Sequence, residues 1–461
     1  MANLHEVLGR GWQLHQAGQL SEAQDVYQNV LDQIPDQPEA LVYMGILYFD
    51  RRAYAASAEC YRKALNQRDE FPIAWNNLGN SLRMLGEVDE ADRCLEKSLS
   101  QDPKYLSAFK NRGTLWVWNG DIEKGLHWYQ RGLEIDPNNI ELRRNRGVIW
   151  LLLGDYENGW PEYRARWLMP GAIRPPVSAP LWNGESLSGK TIILYPEQGR
   201  GDAIHFVRVA KTLSDQGARV VLTCPAGLIP LFSSVAGVDE LLPEGSVLPN
   251  AHFHASLIDV VDVWHSTQGE LPFGSGFIEG GYLSVSDELV KYWKDWIDAQ
   301  GFQSTKIGIN WQGNPEHHAD VYRSIPLKHF QPLADLKDVS LINLQFGFGV
   351  EQLSDCGFAD QVNRLPDHVD RTEGAFTDTV AILKNLDHVV TSDTAIAHLA
   401  GACGVPVTMI VGKVPDWRWL MDSATTPWYP SMRIVRQTEL GDWNAPMMKT
   451  ATLVSEASPQ N

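Results

Sequence analysis

Cysteine, basic charge and long apolar runs are all scarce in this chain. Its 461 residues include only five cysteines. Cys60, Cys94, Cys224, Cys356 and Cys403 are odd in number, scattered, and never in Cys-x-x-Cys spacing, which argues against a disulfide framework or a zinc–thiolate site and for a reducing compartment. Lys and Arg number 39 against 57 Asp and Glu, a formal net charge of −18. General nucleic-acid binders and anionic-membrane binders need broad basic surfaces, so this balance excludes both classes. No apolar run approaches the length that crosses a bilayer. The first residues, MANLHEVLGRGWQLHQAG, carry neither a basic n-region nor an apolar h-region; no secretory signal is expected, and the protein reads as cytoplasmic.

What is present suits globular domains: 44% hydrophobic residues, 10% aromatic, and seventeen tryptophans spread over both halves. The length suits about three units of ordinary size. Residues 1–168 repeat. Gly11, Gly45, Gly79, Gly113 and Gly147 follow one another at intervals of 34 residues, as do Tyr27, Tyr61, Leu95, Tyr129 and Tyr163, and Ala23, Ser57, Ala91, Gly125 and Gly159. Pro35, Pro103 and Pro137 keep the same period, with Asp69 in the missing slot. Small, small and aromatic positions at these offsets resemble the tetratricopeptide repeat. The small residues let paired helices approach closely and the aromatic fills the gap, which predicts about five helix pairs stacked as an α-solenoid with a concave face for a protein or peptide. The last repeat, with Trp150, Trp160, Tyr163 and Trp167, is aromatic enough to be expected to dock on the next domain. Residues 169–187 are rich in Pro, Gly and Ser and read as a connector.

The remainder reads as α/β. In residues 188–300, the buried-strand run Lys190–Pro196 leads into Gln198-Gly199-Arg200-Gly201-Asp202, an amphipathic helix, and a second strand at 219–223. That is the start of a doubly wound sheet. The loop lacks the third glycine of Gly-x-Gly-x-x-Gly, since Ile204 stands there. Asp202 is either the N-cap of the helix or a carboxylate at the mouth of the sheet able to act as a general base. His252–Ile258 reads as a strand whose two histidines share a face, with His254 structural or an acceptor contact. Gly269–Gly281 reads as a flexible loop.

Residues 301–446 open on a strand at 306–311. The loop after it contains His317, His318 and Asp320, too little for a metal site, and Arg323, a fixed cation suited to phosphate oxygens. The stretch from Val389 to Lys413 reads as strand, polar turn, short helix and strand. Ser392 and Asp393 are good N-cap types, so the following amides should meet a phosphate at the helix start, with Thr394 and His398 on one face. Alternatively Asp393 only caps and His398 is structural. Asp416-Trp417-Arg418-Trp419 and Trp428-Tyr429-Pro430 are expected to wall a cleft or to pack within it. Residues 447–461 read as a disordered tail.

Taken together, LYPEQGRGDAIHFVRVAKTL, INWQGNP with RSIPL, TSDTAIAHLAGACGVP, and PDWRW with PWYPSMR resemble the heptosyltransferase-like glycosyltransferases. More closely, the chain is similar to bacterial proteins that fuse tetratricopeptide repeats to such a domain. The resemblance implies an α-solenoid followed by a GT-B fold of two Rossmann-like domains, acceptor side first and nucleotide-sugar side second. It implies a metal-independent, inverting transferase without a cofactor. The family's base falls on Asp202 and its Asp-Thr-Gly-x-x-His diphosphate motif on Asp393, Thr394 and His398, with Ala395 where the family has glycine. Its phosphate-facing basic residue falls on Arg323. Gln198, Gly199, Arg200, Gly201 and His254 are the acceptor and loop contacts, and no Asp-x-Asp occurs in the chain. The competing reading is a repeat scaffold whose degenerate transferase domain binds a nucleotide without turnover.

Overall fold

The computed structural model describes residues 3–272, 281–302, 305–317, 319–372 and 374–457. Ten helices come first: α1 (Leu4–Gln16), α2 (Leu20–Gln33), α3 (Pro38–Asp50), α4 (Tyr54–Gln67), α5 (Pro72–Leu85), α6 (Val88–Gln101), α7 (Leu106–Trp118), α8 (Ile122–Ile135), α9 (Ile140–Leu152) and α10 (Tyr156–Tyr163). Pro38 and Pro72 open α3 and α5 where a missing N–H costs nothing. The periodic glycines have a visible purpose. A methyl group on Gly11, Gly45 or Gly113 would stand 2.4, 2.6 or 2.4 Å from the ring of Tyr27, Tyr61 or Tyr129, the aromatic on the partner helix. At Gly79 it would meet Leu95 at 2.7 Å, the aliphatic that replaces the tyrosine in that repeat. A buried charge pair adds to the stack, with Arg112 forking onto Asp92 at 2.7 and 2.8 Å while the Trp116 indole donates to the same carboxylate.

The chain divides into two compact units, residues 1–150 with 161–170, and residues 151–160 with 171–461. The boundary therefore cuts through both α9 and α10 before falling after Pro170, close to the residue 168 expected. Within the second unit Trp160 is fully buried, edge-on to Trp417 at 5.4 Å.

The second unit holds two wholly parallel sheets. One is four-stranded in the order β3-β2-β1-β4, from β1 (Thr191–Tyr195), β2 (Arg219–Cys224), β3 (Glu240–Pro243) and β4 (Phe253–Ser256). Ile192 aligns with Val220 on one side and Phe253 on the other. Its helices are α11 (Arg200–Phe206), α12 (Val209–Asp215), α13 (Ile229–Phe232), α14 (Leu257–Gln268) and, leading out, α15 (Asp287–Ala299). The other sheet is six-stranded, β10-β9-β8-β5-β6-β7, from β5 (Thr305–Asn310), β6 (Val339–Asn343), β7 (Val362–Asn363), β8 (His388–Ser392), β9 (Val407–Val411) and β10 (Met432–Arg436). It carries α16 (Asp320–Arg323), α17 (Gln331–Ala334), α18 (Thr377–Leu383), α19 (Ala395–Ala402) and α20 (Asn444–Ala457). Strands buried on both faces explain runs such as Val407–Val411, in which every residue is buried.

Three expectations are corrected. Residues 447–457 are not a disordered tail: they belong to α20, whose Met447, Ala451 and Val454, spaced at helical intervals, seal the core around Ile307, Ile309 and Trp311. The strand expected through Ile258 stops at Ser256, because that hydroxyl accepts the Asp259 amide and starts α14. Leu327–Ala334, a stretch whose sequence reads as one helix from Leu327 to Leu336, forms a 3-10 turn and one short helix. Most of the loop read at 269–281, together with His318 and residues 458–461, lies outside the described residues.

Candidate functional site

Each sheet reverses its strand order once, at β1/β4 and at β5/β8, and the loops leaving those strands carry the charged residues singled out above. Asp202 follows β1, Arg323 follows β5, Asp393 follows β8, and Arg418 follows β9. They converge. A methyl on Gly201 would lie 3.1 Å from His398 Cδ2 and 3.4 Å from the Ala395 Cα, so the start of α11 rests directly on the start of α19. Gly201 is thus needed for close approach between the two sheets' helices.

Asp202 is not the N-cap of α11; Gly199 takes that place. The Asp202 carboxylate is ion-paired with Arg418 Nη2, while Arg418 Nη1 donates to Asp416 at 2.7 Å and Nη2 also reaches Gln198 Oε1 at 3.3 Å. Burial pushes the Asp202 carboxyl above the ordinary range; Arg418 pulls it back, Asp416 pushes it further up, and Arg323 lowers it. Asp393 is raised to about 6, by burial first and then by the Asp416 charge, against the opposing pull of Arg323 and Arg418. The Trp419 indole stands close enough to lower it without making a hydrogen bond of ordinary geometry. Three carboxylates, Asp202, Asp393 and Asp416, therefore share the field of two guanidiniums, Arg323 and Arg418. A cluster so arranged can take an anion that replaces carboxylates around the guanidiniums.

The helix start differs from expectation in an instructive way. Neither Ser392 nor Asp393 caps α19. The N-cap is Thr394, which makes no side-chain cap bond, because its hydroxyl donates to Asn310 Oδ1 at 2.8 Å. Asn310 ends β5 and in turn donates to Gln345 Oε1 at 2.8 Å, which also accepts the Trp311 and Gln312 amides. Thr394 thus ties the helix start to the sheet, and the first amides of α19 are left without a side-chain cap at the crevice.

His398 is buried, its Nδ1 3.1 Å from the Tyr429 hydroxyl, its ring stacked on Trp419 at 5.1 Å and tilted against His205 at 4.8 Å. Burial, with the Arg418, Arg208 and Arg323 charges, holds it well below its ordinary pKa and hence neutral. A neutral imidazole is a hydrogen-bonding group here, not a cation. His254 lies instead on β4, 3.1 Å from the Tyr195 hydroxyl and buried, which is the structural placement. Arg200 and Gln198 are exposed at the mouth, and Gly199 lies beside Asp202. Arg323 is tied to Asp320 and packs against Gly313. Asp320 also accepts from Ser324, and His317 Nδ1 accepts the Ala319 amide; among the described residues no cluster of three or more His, Cys, Asp or Glu side chains is set to hold a metal.

Sequence reasoning missed Arg418 by weighing its tryptophan neighbours instead. Trp417 and Trp419 are indeed packing residues, fully or nearly fully buried. The signal lay in a guanidinium two residues after Asp416, in the loop that follows the C-terminal end of β9.

Residues 8–72 and 72–105 match sequence families described as Tetratricopeptide repeat. Residues 8–105 thus carry tetratricopeptide repeats. Such repeats suggest a protein-interaction role and protein partners. Protein FlbA of Caulobacter vibrioides is 25% identical over 318 residues, which is 64% of this chain and 52% of FlbA. The chain thus spans about half the length of that curated relative. Among solved structures, the tetratricopeptide protein TTC0263 of Thermus thermophilus is 17% identical with a TM-score of 0.34, covering 36% of this chain and 91% of that one. MamA from Desulfovibrio magneticus RS-1 is 19% identical with a TM-score of 0.31, covering 36% and 93%. No helix among the described residues is long and apolar enough to cross a membrane.

Proposed function

We propose that the second unit is a metal-independent, inverting glycosyltransferase of the GT-B kind, using a nucleotide-sugar as substrate, and that the repeats recruit its acceptor, a protein. The observation that carries this reading is the clustering of Asp202 with Arg323, Asp393 and His398 on the loops and helices that follow the C-terminal ends of strands in two parallel sheets. Asp202 takes the proton of the acceptor hydroxyl, whose oxygen attacks the anomeric carbon. The anomeric C–O bond breaks from the opposite face and its electron pair leaves on the diphosphate. Arg323, the uncapped amides of α19 and the neutral His398 receive that charge. Asp393, raised to about 6, is ionised above that pH and then opposes a phosphate oxygen, and donates to it only when protonated.

A second reading has its own support: Asp202 is held in an ion pair and Ala395 adds a methyl at the helix start, which suits a scaffold that binds a nucleotide without turnover. Thermal stabilisation by ADP-, GDP-, UDP- and CMP-sugars, with Arg323→Ala as control, separates these. A shift for one nucleotide that Arg323→Ala loses supports a donor site there. Donor consumption that Asp202→Asn abolishes supports the transferase, and binding without consumption supports the scaffold. No shift at millimolar concentration refutes both nucleotide readings.

A further inference from the structure

The guanidinium of Arg418 is 6% exposed, belongs to the six-stranded sheet's side of the crevice, and is bound to a carboxylate from each side: Asp202 after β1 and Asp416 after β9. Arg323 stands within the same field, bearing on both Asp202 and Asp393. Arg418 and Arg323, the two guanidiniums that bear on both Asp202 and Asp393, already face three carboxylates, so a diphosphate gains Arg418 in full only if a carboxylate gives it up. Arg418 is the guanidinium with two carboxylate partners, and one of them, Asp416, remains to anchor it through Nη1 when the other is exchanged.

Resting on the donor reading above, we propose that Arg418 is a shared positioning residue that leaves Asp202 for the diphosphate of an entering nucleotide, so that Asp202 becomes available as a base only when the donor is in place. The chemistry is an exchange of ion-pair partners, with no bond made or broken in the guanidinium. Donor and Asp202 compete for one fork of Arg418, and Gln198, which already touches the same Nη2, marks the path toward the mouth of the crevice. Such coupling sets the base and the leaving-group cation by one event, the arrival of the donor.

The test is calorimetric affinity for the nucleoside diphosphate picked out by the stabilisation panel, in the full chain. Asp202→Asn should bind it roughly tenfold more tightly than wild type, since the competitor is gone, and Arg418→Met roughly tenfold or more weakly. The double variant should resemble Arg418→Met alone, because Asp202 acts on affinity only through Arg418. Arg418→Lys should recover part of the affinity. Unchanged binding in Asp202→Asn, or wild-type binding in a folded Arg418→Met protein that still depends on Arg323, overturns the exchange while leaving the donor site intact. If wild type binds no nucleoside diphosphate, the donor reading itself falls and the exchange with it.

Discussion

Asp393 and Asp202 both follow strand ends, yet burial and neighbours act on the two carboxyls differently. With Asp393 raised to about 6, the folded protein holds a proton between roughly pH 4 and 6 that the unfolded chain has released. Its contribution to stability is therefore fully present below about pH 4 and is lost as pH rises through 6. The same sign governs an anionic ligand. At pH 7.5 the ionised carboxylate opposes a diphosphate, so Asp393→Asn should bind roughly tenfold more tightly than wild type. The ratio between the two proteins should fall toward one at pH 5, where both side chains are neutral. Titrating the ratio cancels the ligand's own protonation; a ratio that does not move with pH would place Asp393 outside the ligand's field. Asp202→Asn keeps the size of the side chain but gives up the ion pair with Arg418 and cannot accept a proton, so donor consumption should drop by at least about a hundredfold in a protein that still folds.

At the scale of the elements, glycine decides how closely helices approach, and it does so only where a neighbour is present. Gly45 sits under the Tyr61 ring, where a methyl would stand at 2.6 Å, whereas a methyl on Gly9 in α1 meets nothing within 4 Å. Gly45→Ala should cost about 1–3 kcal/mol by overpacking, and Gly9→Ala should gain about 0.5–1 kcal/mol from helix propensity alone. Urea unfolding of the two variants reads the opposite signs directly. Gly401 in α19 repeats the first case, since a methyl there would stand 2.6 Å from the Tyr429 ring, the residue that holds His398. The 34-residue period exposes this logic for the repeats without any coordinates, because one position recurs beside one aromatic. The α19 start is less legible: Ser392 and Asp393 are the better capping types, but Thr394 is drawn to Asn310, a partner 84 residues away. Nothing local in the sequence announces that bond.

At the scale of the molecule, the boundary between the units follows packing and not the repeat count. Residues 151–160 belong with the second unit, where Trp160 is buried against Trp417. A polypeptide spanning 151–461 should accordingly melt well above one spanning 171–461, which loses a fully buried tryptophan worth about 3 kcal/mol or more. Equal melting temperatures would show that this segment adds nothing to the second unit. The C-terminal helix makes the same point. Polar residues at 455–461 suggest a frayed end, yet Met447, Ala451 and Val454 close a core whose strand members Ile307 and Ile309 lie more than a hundred residues earlier.

Periodicity determined the repeats and the parallel strands, because burial on one stripe or on both faces leaves its period in the chain itself. The sequence alone also marked Asp202, Arg323, Asp393 and His398, residues whose types suit strand ends. Only the tertiary structure decided that Asp202 and Arg418, 216 positions apart, form an ion pair, that Thr394 is already committed to Asn310, and that His398 is neutral. Partner and charge state depend on what distant segments bring to the same crevice and on how much water they exclude, and neither quantity is carried by any stretch of sequence taken by itself.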